Sequence, residues 1–418
     1  MDFFEYRNGE LYCEEVNVTD ICEAVGTPVY VYSHRTLVDH YRKLDTAFAE
    51  IDHLICFSVK SNSNIAVIRA LVKEGAGTDI VSGGELFRSL KAGVDSQKVV
   101  YAGVGKSMEE IEYALNSDIL MFNVESMPEA YAINEVARRL GKKAKIAFRV
   151  NPDVEADTHH HITTGKKENK FGIDINVAVE IFKEADALSN LNVCGVHAHI
   201  GSQIVSSEPY IKSLEKLLPL IDELRKNNIN IRTLNIGGGL GVIYLDEEPQ
   251  FAQDFAAAIL PMVKATNCRL ILEPGRFITG NSGIMLTKVL YVKRTATKNF
   301  VIVDAAMNDL VRPALYEAYH RIKPVKITSD EEELVDVVGP VCESSDFFAK
   351  DRKILKVQRG DYLSLFTAGA YGFAMSSNYN SRPRAAEVLV KDDQYFIVRG
   401  RETYEDLIKG ESIPKWLF

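Results

Sequence analysis

Between residues 50 and 275, short runs of β-branched and aromatic residues alternate with longer stretches in which apolar side chains recur three and four positions apart. The runs read as buried strands and the longer stretches as amphipathic helices, so this part of the chain reads as repeated βα units. Eight strand candidates stand out, at 54–59 (LICFSV), 78–81 (TDIV), 99–102 (VVYA), 119–123 (ILMFN), 145–150 (KIAFRV), 193–199 (VCGVHAH), 233–236 (TLNI) and 270–273 (LILE). Helical spacing lies between them, as in 64–74 (NIAVIRALVKE) and 207–224 (SEPYIKSLEKLLPLIDEL). Eight parallel strands joined by helices predict an α/β fold of the (β/α)8 type.

After Gly280 the pattern shortens to alternating runs at 300–303, 335–338, 354–357, 362–366, 386–390 and 395–398, separated by turn sequences such as RGD at 359–361 and KDD at 391–393. This predicts a C-terminal all-β domain. The N-terminal residues carry a strand-like piece of their own, VYVY at 29–32, expected to pack with that domain. The expected partition is an N-terminal segment over 1–30, a barrel over 31–280 and a β domain over 281–418, without internal repeats or a low-complexity linker.

A chain of 418 residues exceeds what one core usually serves, which agrees with two domains. Its 46% apolar and 26% charged residues argue against disorder, and a net charge of −9 makes a nucleic-acid partner a poor expectation. No apolar run approaches the roughly 20 residues of a membrane span. The acidic start MDFFEYRNGELYCEE gives no support for secretion or import, so a cytoplasmic location is expected. Six scattered cysteines, at 13, 22, 56, 194, 268 and 342, signal neither a disulfide framework nor a zinc site and fit a reducing compartment.

Candidate chemistry gathers at the C-terminal ends of the proposed strands, the face where such barrels place their sites. Lys60 follows the first strand, Asp79 and Ser82 lie at the second, and Asn123 ends the fourth. Arg149 and Asn151 close the fifth, His197 and His199 the sixth, and Glu273 the eighth. LNIGGGLG after strand seven and EPGR after strand eight suit a phosphate cradle, because glycine lets backbone N–H groups approach an anion. A tight strand-to-helix turn is the plainer reading of the glycines alone. The spacing is not the dinucleotide fingerprint. Lys60, in FSVKSNSN beside such a cradle, suggests pyridoxal 5'-phosphate held as a Schiff base. His197 and His199 are expected to face apart, only one of them toward the barrel mouth. The run His159-His160-His161 sits in a polar loop without a cysteine nearby, and no metal is expected.

The strings FSVKSNSN, GTDIVSGGEL, FRVNPDV, HITTGKKENKFGID, GVHAHIGSQI, LNIGGGLG, EPGR, VRPALY, GPVCESSD and GAYGFAMSSNYNSRPRAAEVLV resemble the diaminopimelate decarboxylases, fold type III pyridoxal-phosphate enzymes. The resemblance runs from about Thr27 to Val390. It implies an alanine racemase-like barrel plus a C-terminal β domain that receives the N-terminal segment. It also implies decarboxylation of meso-2,6-diaminopimelate to L-lysine and carbon dioxide, the last step of lysine biosynthesis, in a homodimer whose active sites form at the subunit interface.

Residue by residue, the resemblance implies that Lys60 bears the Schiff base, His199 stacks on the cofactor ring and Glu273 lies against its pyridine nitrogen. Asp79, Ser202, Gly237, Gly238, Gly239, Pro274, Gly275, Arg276 and Tyr371 complete the cofactor set. Arg276, Arg312, Tyr316, Glu343 and Tyr371 would grip the substrate, and Cys342 from the partner subunit would supply a proton. A carboxylate beside the pyridine nitrogen favours its protonated form, which suits decarboxylation. Related decarboxylases of ornithine, arginine, carboxynorspermidine or a carrier-linked amino acid stay open as alternatives, as does a noncatalytic cofactor-binding protein. The pair Cys342-Glu343 and the pair Arg312/Tyr316 favour diaminopimelate. The segment 161–174 is expected to act as a lid over bound substrate.

Overall fold

The computed structural model describes residues 2–154 and 170–418 and divides into two compact units, Leu37–Thr279 and Met1–Thr36 with Gly280–Phe418. The first unit is the barrel. Its strands are β1 (His53–Ser58), β2 (Gly77–Ile80), β3 (Val99–Tyr101), β4 (Met121–Val124), β5 (Ala144–Asn151), β6 (Leu191–His197), β7 (Thr233–Asn235) and β8 (Arg269–Leu272). Each pairs in parallel with the next, and β8 returns to β1 through Leu270↔His53 and Leu272↔Ile55, which closes the cylinder. All eight strands coincide with the runs expected from sequence, to within two residues at each end.

These segments become strands because they are short, rich in β-branched and aromatic residues, and buried on both faces, as a parallel sheet wrapped in helices requires. Leu54, Cys56, Val100, Met121, Ala147 and Ile271 form a buried cluster contributed by β1, β3, β4, β5 and β8. After each of β1 to β4 the chain is turned into the following helix by a capping side chain. Asn64 caps Ile65–Lys73, Ser82 caps Gly83–Lys91, Ser107 forms a capping box on Met108–Asn116, and Ser126 caps Met127–Arg139. The loops that leave the C-terminal ends of β1 to β4 are thereby fixed by hydrogen bonds, a precondition for a site built on them.

The second unit is mostly β. Val29–Ser33 lies inside its main sheet, antiparallel to Gly283–Arg294 and parallel to Ala386–Lys391, with Tyr30 opposite Met285 on one side and Glu387 on the other. Leu11, Ile21, Val29, Val31, Ile284, Leu286 and Val388 pack into one core. Gly283–Arg294 was not expected from sequence. Its first five residues are all buried, so the period-2 alternation that marks a half-exposed strand is absent there.

Ile271→Ala should test the barrel core. It removes a fully buried branched side chain, and a cost of about 2–5 kcal/mol is expected, read as a lower denaturant midpoint with unchanged slope.

Candidate active site

The C-terminal mouth of the barrel carries a chain of buried polar groups. Ser58, the last residue of β1, donates its hydroxyl to Asp79 Oδ2 at 2.5 Å, and Lys60, one turn further, donates Nζ to the same oxygen at 3.2 Å. Asp79 is wholly buried at the end of β2, whereas the Lys60 side chain keeps 39% of its surface exposed. Burial and the nearby Glu273 charge push the Asp79 carboxyl up to about 6, against the opposing pull of Lys60. A lysine that is anchored by a buried carboxylate yet open on one side can present an amine without losing its position.

Glu273 follows β8 and is buried. Its Oε1 accepts from Asn123 Nδ2 at 2.8 Å and from Asn235 Nδ2 at 2.6 Å, while Oε2 lies 3.4 Å from His197 Nε2. Burial alone would raise this carboxyl. The His197 imidazole, the Lys60 charge and the Asn235 amide instead hold it well below the usual carboxylate range. Glu273 is therefore an ionised group in a nearly dry setting.

His199 lies just beyond β6, where its Nδ1 accepts from the backbone N–H of Gly238 at 3.2 Å. Burial, with the positive charges of Arg149 and Lys60, depresses its proton affinity far below that of a free imidazole. A flat neutral ring results. The expectation that His197 and His199 face apart is wrong. Residues two apart in a strand share a face, and the two rings turn to Glu273 and to the glycine run, both within the barrel mouth.

That glycine run is a cradle that side chains would fill. A Cβ on Gly238 would come 2.1 Å from the Glu273 carbonyl oxygen, and one on Gly237, at φ +70°, 2.7 Å from His199 Nδ1. Arg276, buried at the start of the short helix after EPG, donates Nη2 to Ser202 Oγ at 3.1 Å and Nη1 to Tyr244 Oη at 2.6 Å. Gly275 sits against Ser58 and Ser61, where a Cβ would meet both side chains at 3.0 Å, and Pro274 is buried beside it. Small residues with open backbone beside a buried guanidinium and a hydroxyl form an anion site, which fits the phosphate of the expected cofactor.

Lys60, Asp79, His199, Ser202, Gly237, Gly238, Gly239, Glu273, Pro274, Gly275 and Arg276 thus share the barrel unit. The remaining expected residues belong to the other unit. There Arg312 is buried and donates Nη1 to His320 Nε2 at 3.1 Å, while His320 Nδ1 donates to the Phe366 carbonyl at 2.9 Å. Tyr316 ends the helix Arg312–Tyr316, and Tyr371 takes a left-handed backbone at φ +56°. Cys342 and Glu343 are exposed in that unit, and the Cys342 N–H donates to Asn380 Oδ1 at 3.0 Å. Most of segment 161–174, and the whole run 159–161, lie outside the described residues. Among the described residues no cluster of His, Cys, Asp and Glu could hold a metal ion, and no helix is long and apolar enough to cross a membrane.

Sequence reasoning missed Asn235, Tyr244, His320 and the buried Glu125–Arg149 pair at 3.0 Å. Asn235 could have been found, because it is a polar residue at a strand end directly before the glycines. Tyr244 lies in an irregular stretch with no periodicity to read.

A pocket with a tethered lysine, a neutral imidazole, an ionised carboxylate and an anion cradle has the parts that pyridoxal phosphate requires. Residues 34–280 match the family of pyridoxal-dependent decarboxylases, over its pyridoxal binding domain, and the chain belongs to that class. The chain is 49% identical to the diaminopimelate decarboxylase of Haemophilus influenzae over 414 residues, covering 99% of this chain and all of the relative. It is 50% identical to that of Pseudomonas aeruginosa over 413 residues, 99% of each chain. Among solved structures, diaminopimelate decarboxylase from M. jannaschii in complex with L-lysine superposes with a TM-score of 0.95 at 39% identity, covering 100% of this chain and 99% of that one. The Helicobacter pylori enzyme with L-lysine gives 0.91 at 42% identity, over 94% and 98%. Within the pyridoxal-dependent decarboxylases, this chain belongs to the diaminopimelate decarboxylase family.

Gly238→Ala should lower the melting temperature by several degrees, because its Cβ would overlap a backbone oxygen that cannot move aside cheaply. Gly105→Ala, where no atom lies within 4 Å of the new Cβ, should leave it unchanged in the same thermal scan.

Proposed function

We propose the following assignment of roles in the family's reaction, decarboxylation of meso-2,6-diaminopimelate to L-lysine and carbon dioxide with pyridoxal 5'-phosphate. The observation that carries it is the environment of Glu273, a buried carboxylate kept ionised by two amide donors and a facing imidazole. When bound, the cofactor supplies the sink for the electron pair left at Cα as carbon dioxide departs. Glu273 would hold the pyridine nitrogen and, being anionic, would favour a proton there. Lys60 provides the amine for the covalent link, steadied by Asp79. His199, held neutral, offers a flat ring face to the cofactor. Gly237, Gly238, Gly239, Ser202, Gly275 and Arg276 bind the phosphate, with Pro274 shaping the turn and the Tyr371 hydroxyl as a further donor.

The substrate has a second ammonium and a second carboxylate at its far end, so recognition needs groups of both signs. Glu343 suits the ammonium. Arg276 and Arg312 suit carboxylates through forked hydrogen bonds, with Tyr316 and Tyr371 completing the grip. Arg312 is supported for this by its buried contact with His320, whose Nδ1 is committed to a carbonyl so that Nε2 is left to accept. A substrate without the distal carboxylate would leave a buried guanidinium unmatched, which disfavours ornithine. Cys342 delivers the proton to Cα. Its exposure within its own unit supports a homodimer in which Cys342 of the partner subunit serves each site. Six free thiols support a cytoplasmic location.

Carbon dioxide release on meso-diaminopimelate, its LL isomer, ornithine, arginine and lysine tests the substrate. The meso isomer should be preferred over ornithine by about 10⁴-fold or more, the discrimination expected where a site's polar groups lose the substrate group they are built to bind. Preference for ornithine would overturn the assignment. Mixing inactive Lys60→Ala and Cys342→Ala proteins tests the dimer. Statistical exchange at equal amounts should restore about a quarter of the parent activity, because about half of the dimers are mixed and each carries one intact site, whereas no recovery in verified mixed dimers would sink the shared site.

A further inference from the structure

His197 is an expected strand-end residue that the roles just assigned leave without a contact to substrate or cofactor. It is 1% exposed, and its main chain is locked in the ladder opposite Arg149 of β5 and Asn235 of β7. Neither ring nitrogen has a hydrogen-bond partner among the described residues, and the polar group facing Nε2 is Glu273 Oε2, 3.4 Å away. Buried polar groups are normally satisfied. Leaving an imidazole in the barrel interior with its nitrogens unmet costs stability. A phenylalanine or leucine would fill the same space without that cost, so the ring needs a reason beyond packing.

Glu273 supplies it. Two amide donors already occupy Oε1, from Asn123 on β4 and Asn235 on β7. Both approach one oxygen, so they fix that oxygen and leave the other without a donor of its own apart from His197. A carboxylate with one oxygen pinned can still swing about χ3, because that torsion is broad. We propose that His197 is a positioning residue for Glu273: its Nε2–H meets Oε2 while the two asparagines hold Oε1, so that the carboxylate keeps a single orientation toward the cofactor's ring nitrogen. The inference rests on the reading of Glu273 as the partner of that nitrogen. It is also electrostatically consistent, since the imidazole is among the groups that hold the Glu273 carboxyl ionised against its burial.

The test uses the holoenzyme reconstituted with pyridoxal phosphate labelled with nitrogen-15 in its ring, so that the ring signal reports protonation directly. His197→Phe keeps the volume and removes the donor. Its ring signal should move toward that of the unprotonated pyridine, and kcat should fall roughly tenfold with KM unchanged, as when a supporting partner of a site ligand is lost. His197→Gln, which returns an N–H near the same place, should recover most of both. A parent-like ring signal in folded His197→Phe would overturn the proposal whatever its melting temperature, and a glutamine variant no better than the phenylalanine one would do the same. If His197→Phe does not fold, His197→Ala is read in the same way. Glu273→Gln separates the two layers. A displaced signal there, with none in the His197 variants, removes the role of His197 alone, whereas no displacement in Glu273→Gln removes the reading of Glu273 itself.

Discussion

A carboxylate taken almost entirely out of water is costly unless donors meet its oxygens, and the barrel mouth is organised around meeting that requirement at Glu273. Amide donors come from Asn123 at the end of β4 and Asn235 at the end of β7, and the His197 ring at the end of β6 faces the other oxygen at 3.4 Å, so three strands must finish at the right height around one side chain. This is a stronger constraint than apolar packing, which tolerates exchange among residues of similar volume. It also explains why the polar residues of the mouth lie at strand ends. Strand ends are rigid enough to hold such geometry, and loops without this support are not.

The same residue ties the backbone together. The Glu273 N–H donates to the Gly237 carbonyl, and the missing Cβ of Gly238 makes room for the Glu273 carbonyl. The glycine run therefore serves two purposes through one geometry. Its open backbone can approach an anion, and its lack of side chains lets β7 and β8 close together at the level of the buried carboxylate. A substitution there would strain the fold and the site at once, so stability and chemistry are not separable at this end of the barrel.

How much of this was legible in the sequence follows from which physics leaves a local trace. The eight barrel strands were readable because each is a compact apolar run bounded by turn residues, and Lys60, Glu273 and the glycines were readable as misfits at the ends of such runs. Gly283–Arg294 escaped notice because its buried half shows no alternation. The partners of Glu273 were invisible as partners: Asn123, His197 and Asn235 lie 150, 76 and 38 positions before it, and only the closed barrel brings them to one carboxylate. The facing of the two histidines was misread from the pleat, although a period of two already puts such residues on one face. Arg312 was visible as a cation, but its dependence on His320 required the fold.

Charge balance at the mouth has a further consequence. Asp79 and Glu273 are both buried carboxylates whose charges oppose each other, and the Lys60 ammonium, bound to Asp79 and felt by Glu273, offsets the pair. The two acids respond unequally. Glu273 has amide donors and an imidazole to sustain its charge, whereas Asp79 relies on Lys60 and the Ser58 hydroxyl, which is why burial and the Glu273 charge lift it to about 6 while Glu273 stays low. Any chemistry that consumes the positive charge of Lys60 withdraws support from both acids, from Asp79 through a direct hydrogen bond as well as charge and from Glu273 through charge alone. The proton affinity of Asp79 then rises further. Lys60 thus couples the two buried acids, and the one it touches directly depends on it more.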